Sequence, residues 1–259
     1  EQFPYMTPSG RHYDVGEFDG HMTQALAVAD WDGFAERRKE SEARGLLRGI
    51  GLSTYIEACA FAGSEPAFLE LNDDGSVTLK IGTQSTGQGH ETAYAQFVSA
   101  VLDLPLDQIH VRQGDTRELA KGGGTGGSRS IPIGGVSVNR AAYVLAERIR
   151  QIASDTLEAS SGDLELVDGM VRIAGTDRAM SFAEIAHASP EPVRGEADVK
   201  QNEATYPNGT HVCELEIDPQ TGVTTICRYS VVDDFGVTMN PHLLAGQVHG
   251  GVVQGIGQA

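Results

Sequence analysis

Three times in this chain a strand-like or irregular run ends in a glycine-rich turn followed by helical spacing, and this recurrence constrains the fold more than any other feature. The first turn is Gly82-Thr83-Gln84-Ser85-Thr86-Gly87-Gln88-Gly89-His90, the second Gly122-Gly123-Gly124-Thr125-Gly126-Gly127-Ser128-Arg129-Ser130, and the third Gly246-Gln247-Val248-His249-Gly250-Gly251. Glycine reaches positive φ without steric cost and lets a ligand approach a backbone N–H with no Cβ between them. The first turn of a helix adds N–H donors that have no intrahelical acceptor, together with a partial positive charge. Gln88 and Gln247 carry amides that donate and accept, Ser128 and Ser130 carry hydroxyls, and Arg129 carries a planar fork suited to phosphate oxygens. A single turn of this kind is ordinary capping; three with polar tips describe a large ligand with phosphates and several ring edges.

The periodicities around these turns mix hairpins with long helices. Helical spacing covers residues 19–29, 31–44, 90–102 and 133–157, the last with Val138, Ala142, Leu145, Ile149 and Ile152 along one side. Strands are expected over 46–61, 67–71, 77–81, 109–112, 164–167, 170–173, 210–217 and 224–232, with hairpin turns at Asn72-Asp73-Asp74-Gly75, Asp168-Gly169 and Asp218-Pro219-Gln220-Thr221-Gly222. Ser181 and Glu184 have the spacing of a capping box, and the tail from Leu243 reads as a glycine-substituted helix. This order is neither a regular βαβ series nor an all-β chain. The expected class is α+β, long helices on a mixed or mostly antiparallel sheet. A lead-in with helices is expected over 1–44 and a ligand-binding region over 45–259, divisible into about 45–190 and 191–259.

Charge narrows the partners. With a formal net charge of -17 over 259 residues, the surface repels nucleic-acid phosphates and anionic membranes. A local anion site built from amides remains open. Cys59, Cys213 and Cys227 form no CxxC pair. They read as buried small side chains in a reducing, cytoplasmic compartment, with no iron–sulfur or zinc ligand set. His110, His187, His211 and His242 lack metal-ligand spacing, and His249 reads as a packed histidine. Glu57 lies in an apolar strand, where a buried carboxylate needs a partner, and Asp233-Asp234 reads as a turn-former. No run is apolar and long enough to span a membrane. Both ends read as cut, so a fragment with exposed apolar surface and a tendency to associate is expected.

Gly122 to Gly127 matches the glycine half of a P-loop, but Ser128-Arg129 follows where Lys then Ser or Thr would be required. No Rossmann fingerprint follows a strand. On the residues alone, three readings stay open: a cradle for a large phosphate-bearing cofactor, an assembly module whose glycines only pack helices, and a phosphate-binding enzyme of another type.

At this level of detail the segments are recognisable. Thr83-Gln84-Ser85-Thr86-Gly87-Gln88-Gly89-His90-Glu91-Thr92 resembles the Gly-Gln-Gly-His segment of molybdenum hydroxylase large subunits, the family of xanthine dehydrogenase, aldehyde oxidase and aerobic carbon monoxide dehydrogenase. Gly124-Thr125-Gly126-Gly127-Ser128-Arg129-Ser130 is similar to that family's second cofactor loop, and Asp233 to Pro241 running into Gly246-Gln247-Val248-His249-Gly250-Gly251 resembles the third. The similarity runs in order from about Leu46 to the last residue, and its variants lean toward the carbon monoxide dehydrogenase-like branch.

The resemblance implies a molybdenum–pyranopterin cofactor, as a cytosine dinucleotide. It implies that Gly87, Gln88, Gly89 and His90 line the pterin side, that Thr125, Gly127, Ser128, Arg129 and Ser130 hold the pterin and phosphate region, and that Gln247 contacts the pterin. It also implies oxidation of an aldehyde, an N-heterocycle or carbon monoxide with water as oxygen source, and electron transfer to iron–sulfur and FAD subunits or domains. The family's glutamate base and its substrate-side loop are expected outside these residues. Two expectations follow: the three turns converge on one cleft, and Arg129 meets an anion. On that view Arg129→Ala lowers cofactor occupancy with the fold intact, the alternative being a surface ion pair worth at most about 1 kcal/mol.

Overall fold

Ala67, Leu69 and Leu71 alternate with half-buried residues, as do Val77, Leu79 and Ile81 after the Asn72–Gly75 turn, so each strand buries one face. That hairpin is the centre of the larger sheet in a computed structural model that describes residues 2–258. In chain order the elements are β1 (Tyr5–Met6), β2 (His12–Tyr13), α1 (Phe18–Val28), α2 (Phe34–Ala43), β3 (Leu47–Ile56), β4 (Ala67–Leu71), β5 (Val77–Ile81), α3 (His90–Leu102), β6 (Ile109–Arg112), α4 (Val136–Leu157), β7 (Leu164–Val167), β8 (Met170–Ile173), β9 (Ala179–Ser181), α5 (Phe182–Ala188), β10 (Arg194–Ala197), β11 (Asn208–Ile217), β12 (Thr224–Asp234) and α6 (Pro241–Gln258). Long helices and mostly antiparallel sheets make this an α+β chain.

The elements fall into two units that are not consecutive in sequence. Glu1–Cys59 and Thr205–Val237 form the first, Ala60–Ala204 and Thr238–Ala259 the second. In the first unit, β3 and β12 flank β11 in an antiparallel sheet. Ala25 of α1 and Ala29 at its C-cap pack on Val212, with Trp31, Ile50, Leu52 and Val232 around them. Glu214 is buried between Arg37 and Arg48. Burial alone would raise its carboxyl pKa, but the hydrogen bonds from both arginines outweigh it and hold the pKa below the ordinary carboxylate value.

The second unit holds the larger core. Its sheet runs β10-β4-β5-β6, with β5 and β6 parallel and the other pairs antiparallel. Helix α3 makes the crossover that a parallel pair requires. Leu145, Ile149 and Ala153 of α4 join Leu69, Leu79, Ile81, Tyr94 and Val98 in one buried cluster. A small sheet, β7-β8-β9, follows α4, and Ser181 with Glu184 closes a capping box on α5.

Four readings of the sequence are corrected. The expected strand over 46–61 stops at Ile56, and Glu57 lies beyond it, exposed, so it needs no buried partner. Cys59 is buried, but Cys213 is half-buried and Cys227 exposed. Cys227 falls where the β11–β12 register slips, the extra residue of a bulge. His249 is exposed on α6, not packed. The third glycine-rich run is not a helix start. Asn240 Oδ1 accepts from the Leu243 N–H and Pro241 opens α6, which puts Gln247 inside the helix.

Candidate functional site

Parallel pairing is what brings the first two glycine turns together. Strands β5 and β6 run side by side in the same direction, so the segments leaving their C-terminal ends emerge on one edge of the sheet. In open α/β sheets, crevices at the carboxyl ends of parallel strands are where ligands bind, and this parallel pair has the same local geometry. The first turn leads from β5 to α3. The second lies between β6 and a π-helical turn, Ser130–Gly135, that feeds α4. Single π turns recur at functional sites because they shift the helical ladder by one residue.

The two turns cross backbone against backbone. A Cβ at Gly82 would overlap the Cα of Gly122 and Oε1 of Glu65, so only glycine fits there. Thr125 Oγ1 donates to the Gln84 carbonyl at 2.7 Å, tying the second turn to the first. Tyr94, fully buried on α3, donates to the Ser130 carbonyl at 2.9 Å and lies 2.6 Å from Thr83 Oγ1. Burial pushes its phenol pKa up to about 12. Gln113, just past β6, donates to the Thr83 carbonyl, and its amide nitrogen lies 3.3 Å from His90 Nδ1.

Arg129 apart, the expected site residues fall into three groups. Exposed or half-exposed on the turns are Gly87, Gln88, Gly89, Thr125, Gly127 and Ser128. The Gln88 side chain folds back on its own loop: Oε1 accepts from the Thr86 N–H, and Nε2 lies 3.5 Å from the Gln84 carbonyl. His90 and Ser130 are buried beneath the turns. Burial pushes the His90 pKa below its ordinary value, against a hydrogen bond involving the Thr83 backbone that acts in the opposite sense. Gln247 is exposed on α6. That helix reaches the first turn through Leu243, whose side chain fills the space beside Gly89, and Asn240, just before the helix, donates to Gln96 Oε1 of α3 at 2.9 Å.

Arg129 is engaged by protein. Its Nη1 donates to Glu65 Oε2 at 2.6 Å and to the Gly124 carbonyl, and Nη2 donates to the Ser64 carbonyl. Glu65 is 0% exposed and Arg129 17%, so the pair is buried and not the surface ion pair weighed from the sequence. Glu65, Tyr94, Gln113 and Phe61 escaped the sequence reading. Phe61 is 53% exposed, with its ring in contact distance of where a Gly127 Cβ would sit. A glutamate between Ser64 and Pro66 carries no local signal of an arginine partner 64 residues on.

The second turn is an unusual donor surface. No described residue accepts a hydrogen bond from the backbone N–H groups of residues 124–128, which are exposed or half-exposed. Gly124, Gly127 and Ser128 have positive φ, and at Gly124 and Gly126 a Cβ would meet no atom within 4 Å. Successive N–H groups bent by left-handed residues form concave anion sites. Elsewhere in this unit a hollow of about 430 Å³ is lined by Glu70, Asp73 and Glu191, carboxylates that repel anions. Among the described residues no group of three or more His, Cys, Asp or Glu side chains is placed to hold a metal ion. Amide-rich turns fit the phosphates and ring edges of an organic ligand.

Fold and turns together give a domain that offers a large ligand a surface of backbone amides. The model of the molybdopterin cofactor-binding domain matches residues 24–259, and the chain belongs to that family. It is 33% identical, over 99% of its length, to the large subunit of nicotine 6-hydroxylase from Paenarthrobacter nicotinovorans, and covers 34% of that protein. It is 35% identical, over 98% of its length, to the carbon monoxide dehydrogenase large chain of Afipia carboxidovorans, and covers 35% of it. Quinoline 2-oxidoreductase from Pseudomonas putida 86 superposes with a TM-score of 0.86 at 30% identity, over 99% of this chain and 36% of that one. The chain thus spans about a third of the length of these molybdenum-family relatives.

Proposed function

We propose that this chain is the cofactor-cradling part of a molybdenum hydroxylase that oxidises an aldehyde, an N-heterocycle or carbon monoxide with oxygen taken from water. The observation that carries this reading is the run of N–H groups over 124–128, on exposed or half-exposed residues, with no acceptor among the described residues. In this reading those amides, with the Ser128 hydroxyl and the free Nε–H of Arg129, bind the phosphates of a pterin dinucleotide, the cytosine form. Gly87, Gln88, Gly89 and Gln247 meet the pterin, the glutamine amides pairing with its ring edges. Gly127 keeps the approach free of side chain, while buried His90 and Ser130 hold the turns in shape. The bound group supplies a two-electron redox centre at which water oxygen is transferred. This chain's residues bind it, orient it and exclude side chains from its path.

The names of the relatives support both an N-heterocycle and carbon monoxide as substrate classes. The designation of these relatives as large subunits or large chains supports further subunits in an oligomeric assembly, and in this reading those are iron–sulfur and FAD partners. Cys59, Cys213 and Cys227, with no CxxC pair among them, support a cytoplasmic setting, and among the described residues no helix is long and apolar enough to cross a membrane.

The test is Gly126→Glu in the full-length protein, with Gly126→Ala as control. A Cβ at Gly126 meets no atom within 4 Å, so the backbone there admits a side chain in both variants. The glutamate places a negative charge among the amides. Molybdenum and nucleotide content at least fivefold below the alanine control is expected; equal content in the two contradicts the reading.

A further inference from the structure

Glu65 combines three properties. It is fully buried, one carboxylate oxygen makes every hydrogen bond the group has, and the other has no partner. Oε2 accepts from the Gly123 N–H at 2.8 Å and from Arg129 Nη1 at 2.6 Å. These two donors stand at the two ends of the exposed run of amides, Gly123 just before it and Arg129 just after. Arg129 adds bonds to the Gly124 carbonyl and, beside the glutamate, to the Ser64 carbonyl. On the other edge, Oε1 lies against Gly82 and Gly122, where the two turns cross. One carboxylate therefore touches both turns and both ends of the second.

We propose that Glu65 is a positioning residue that holds the second glycine turn, through Gly123 and Arg129, in the shape that presents the amides of residues 124–128 to the cofactor. The inference rests on the cofactor reading of that turn given above. The physical reason is that glycine-rich backbone has no conformation of its own: Gly122, Gly123, Gly124, Gly126 and Gly127 each lose more freedom on ordering than any other residue would. A cradle left to find its shape on binding would lose affinity to that ordering. A buried carboxylate with an arginine and a backbone N–H on one oxygen offers no low-energy alternative, because moving either donor leaves the charge uncompensated. The Ala60 N–H, 2.8 Å from the Gly127 carbonyl, fixes the turn from the same 60–65 segment. That segment is itself held by Gln201, which pairs with Gly63 and donates to the Ala60 carbonyl. Glu65 is itself 0% exposed and acts through its two donors.

Three variants of the full-length protein in its native assembly test this: Glu65→Gln, Arg129→Gln, and the two combined. Amide hydrogen exchange over 122–130 reports the turn, exchange over the 164–173 hairpin reports the rest of the unit, and molybdenum and nucleotide content report the cofactor. The expectation for each single variant is exchange over 122–130 at least tenfold faster, an unchanged hairpin and a severalfold loss of cofactor. The double variant removes the unbalanced charge and restores an amide pair, so part of the protection over 122–130 returns. Wild-type exchange over 122–130 in Glu65→Gln overturns the proposal. So does loss of protection in the hairpin in all three variants, because Glu65 would then be a general core residue. A loosened turn with full cofactor content upholds Glu65 as the residue that shapes the turn and overturns the assignment of that turn to the cofactor.

Discussion

At the scale of single residues, Arg129 has the most to explain. A guanidinium beside the first turn of a helix opposes the helix dipole, and from the sequence a bound anion was the reason for its presence. The structure supplies a second reason, a buried carboxylate 2.6 Å away. The two are compatible, since Nε–H and one N–H of Nη2 stay outside the bonds to Glu65, Ser64 and Gly124. They differ in what truncation does. Arg129→Ala leaves Glu65 buried and unpaired, and breaking such a pair costs about 3–5 kcal/mol, against about 1 kcal/mol or less for an exposed one. Urea unfolding of the full-length variant is expected to show the larger loss; a loss under about 1 kcal/mol would mean that the pair is effectively solvated. A loss of stability is therefore expected to accompany any loss of cofactor, and cofactor occupancy in Arg129→Ala alone cannot separate the two roles.

At the scale of elements, hairpins and helices were legible where periodicity is local. Helix α3 and strands β4, β5, β6, β7 and β8 lie where alternation and helical spacing put them. Strand β10 was not legible, because Arg194-Gly195-Glu196-Ala197 has neither alternation nor β-branched residues and is a strand only through pairing with β4. The parallel pairing of β5 with β6 is a tertiary fact of the same kind, and it places the first two turns together. The site's polar surface was visible in the glycines and amides. Its support was not: Glu65, Tyr94 and Gln113 reach the turns from distant positions.

The start of α3 carries a pH dependence. Burial lowers the His90 pKa below its ordinary 6.5, so the unfolded chain takes up the proton first as pH falls. The contribution of the neutral ring is complete above pH 6.5 and is lost as pH drops through the lowered folded value. Urea midpoints between pH 7.5 and pH 5 are expected to fall less steeply in His90→Gln than in the unaltered protein. Identical slopes would show that His90 does not titrate with unfolding.

At the scale of the molecule, one chain makes two units by leaving the first at Cys59 and returning at Thr205. Both glycine turns, their supporting residues and the helix carrying Gln247 belong to the second unit. The acidic surface and the anion cradle do not conflict, because a net charge of -17 acts at the range of a Debye length, while backbone amides act at contact. The central claim is that the amides of residues 124–128 hold the cofactor. Hydrogen exchange of the full-length protein, prepared with and without its molybdenum cofactor, tests it at those atoms. Slowed exchange over 124–128 in the loaded protein is predicted, with the 164–173 hairpin unchanged. Equal exchange over 124–128 in the two preparations would contradict the claim.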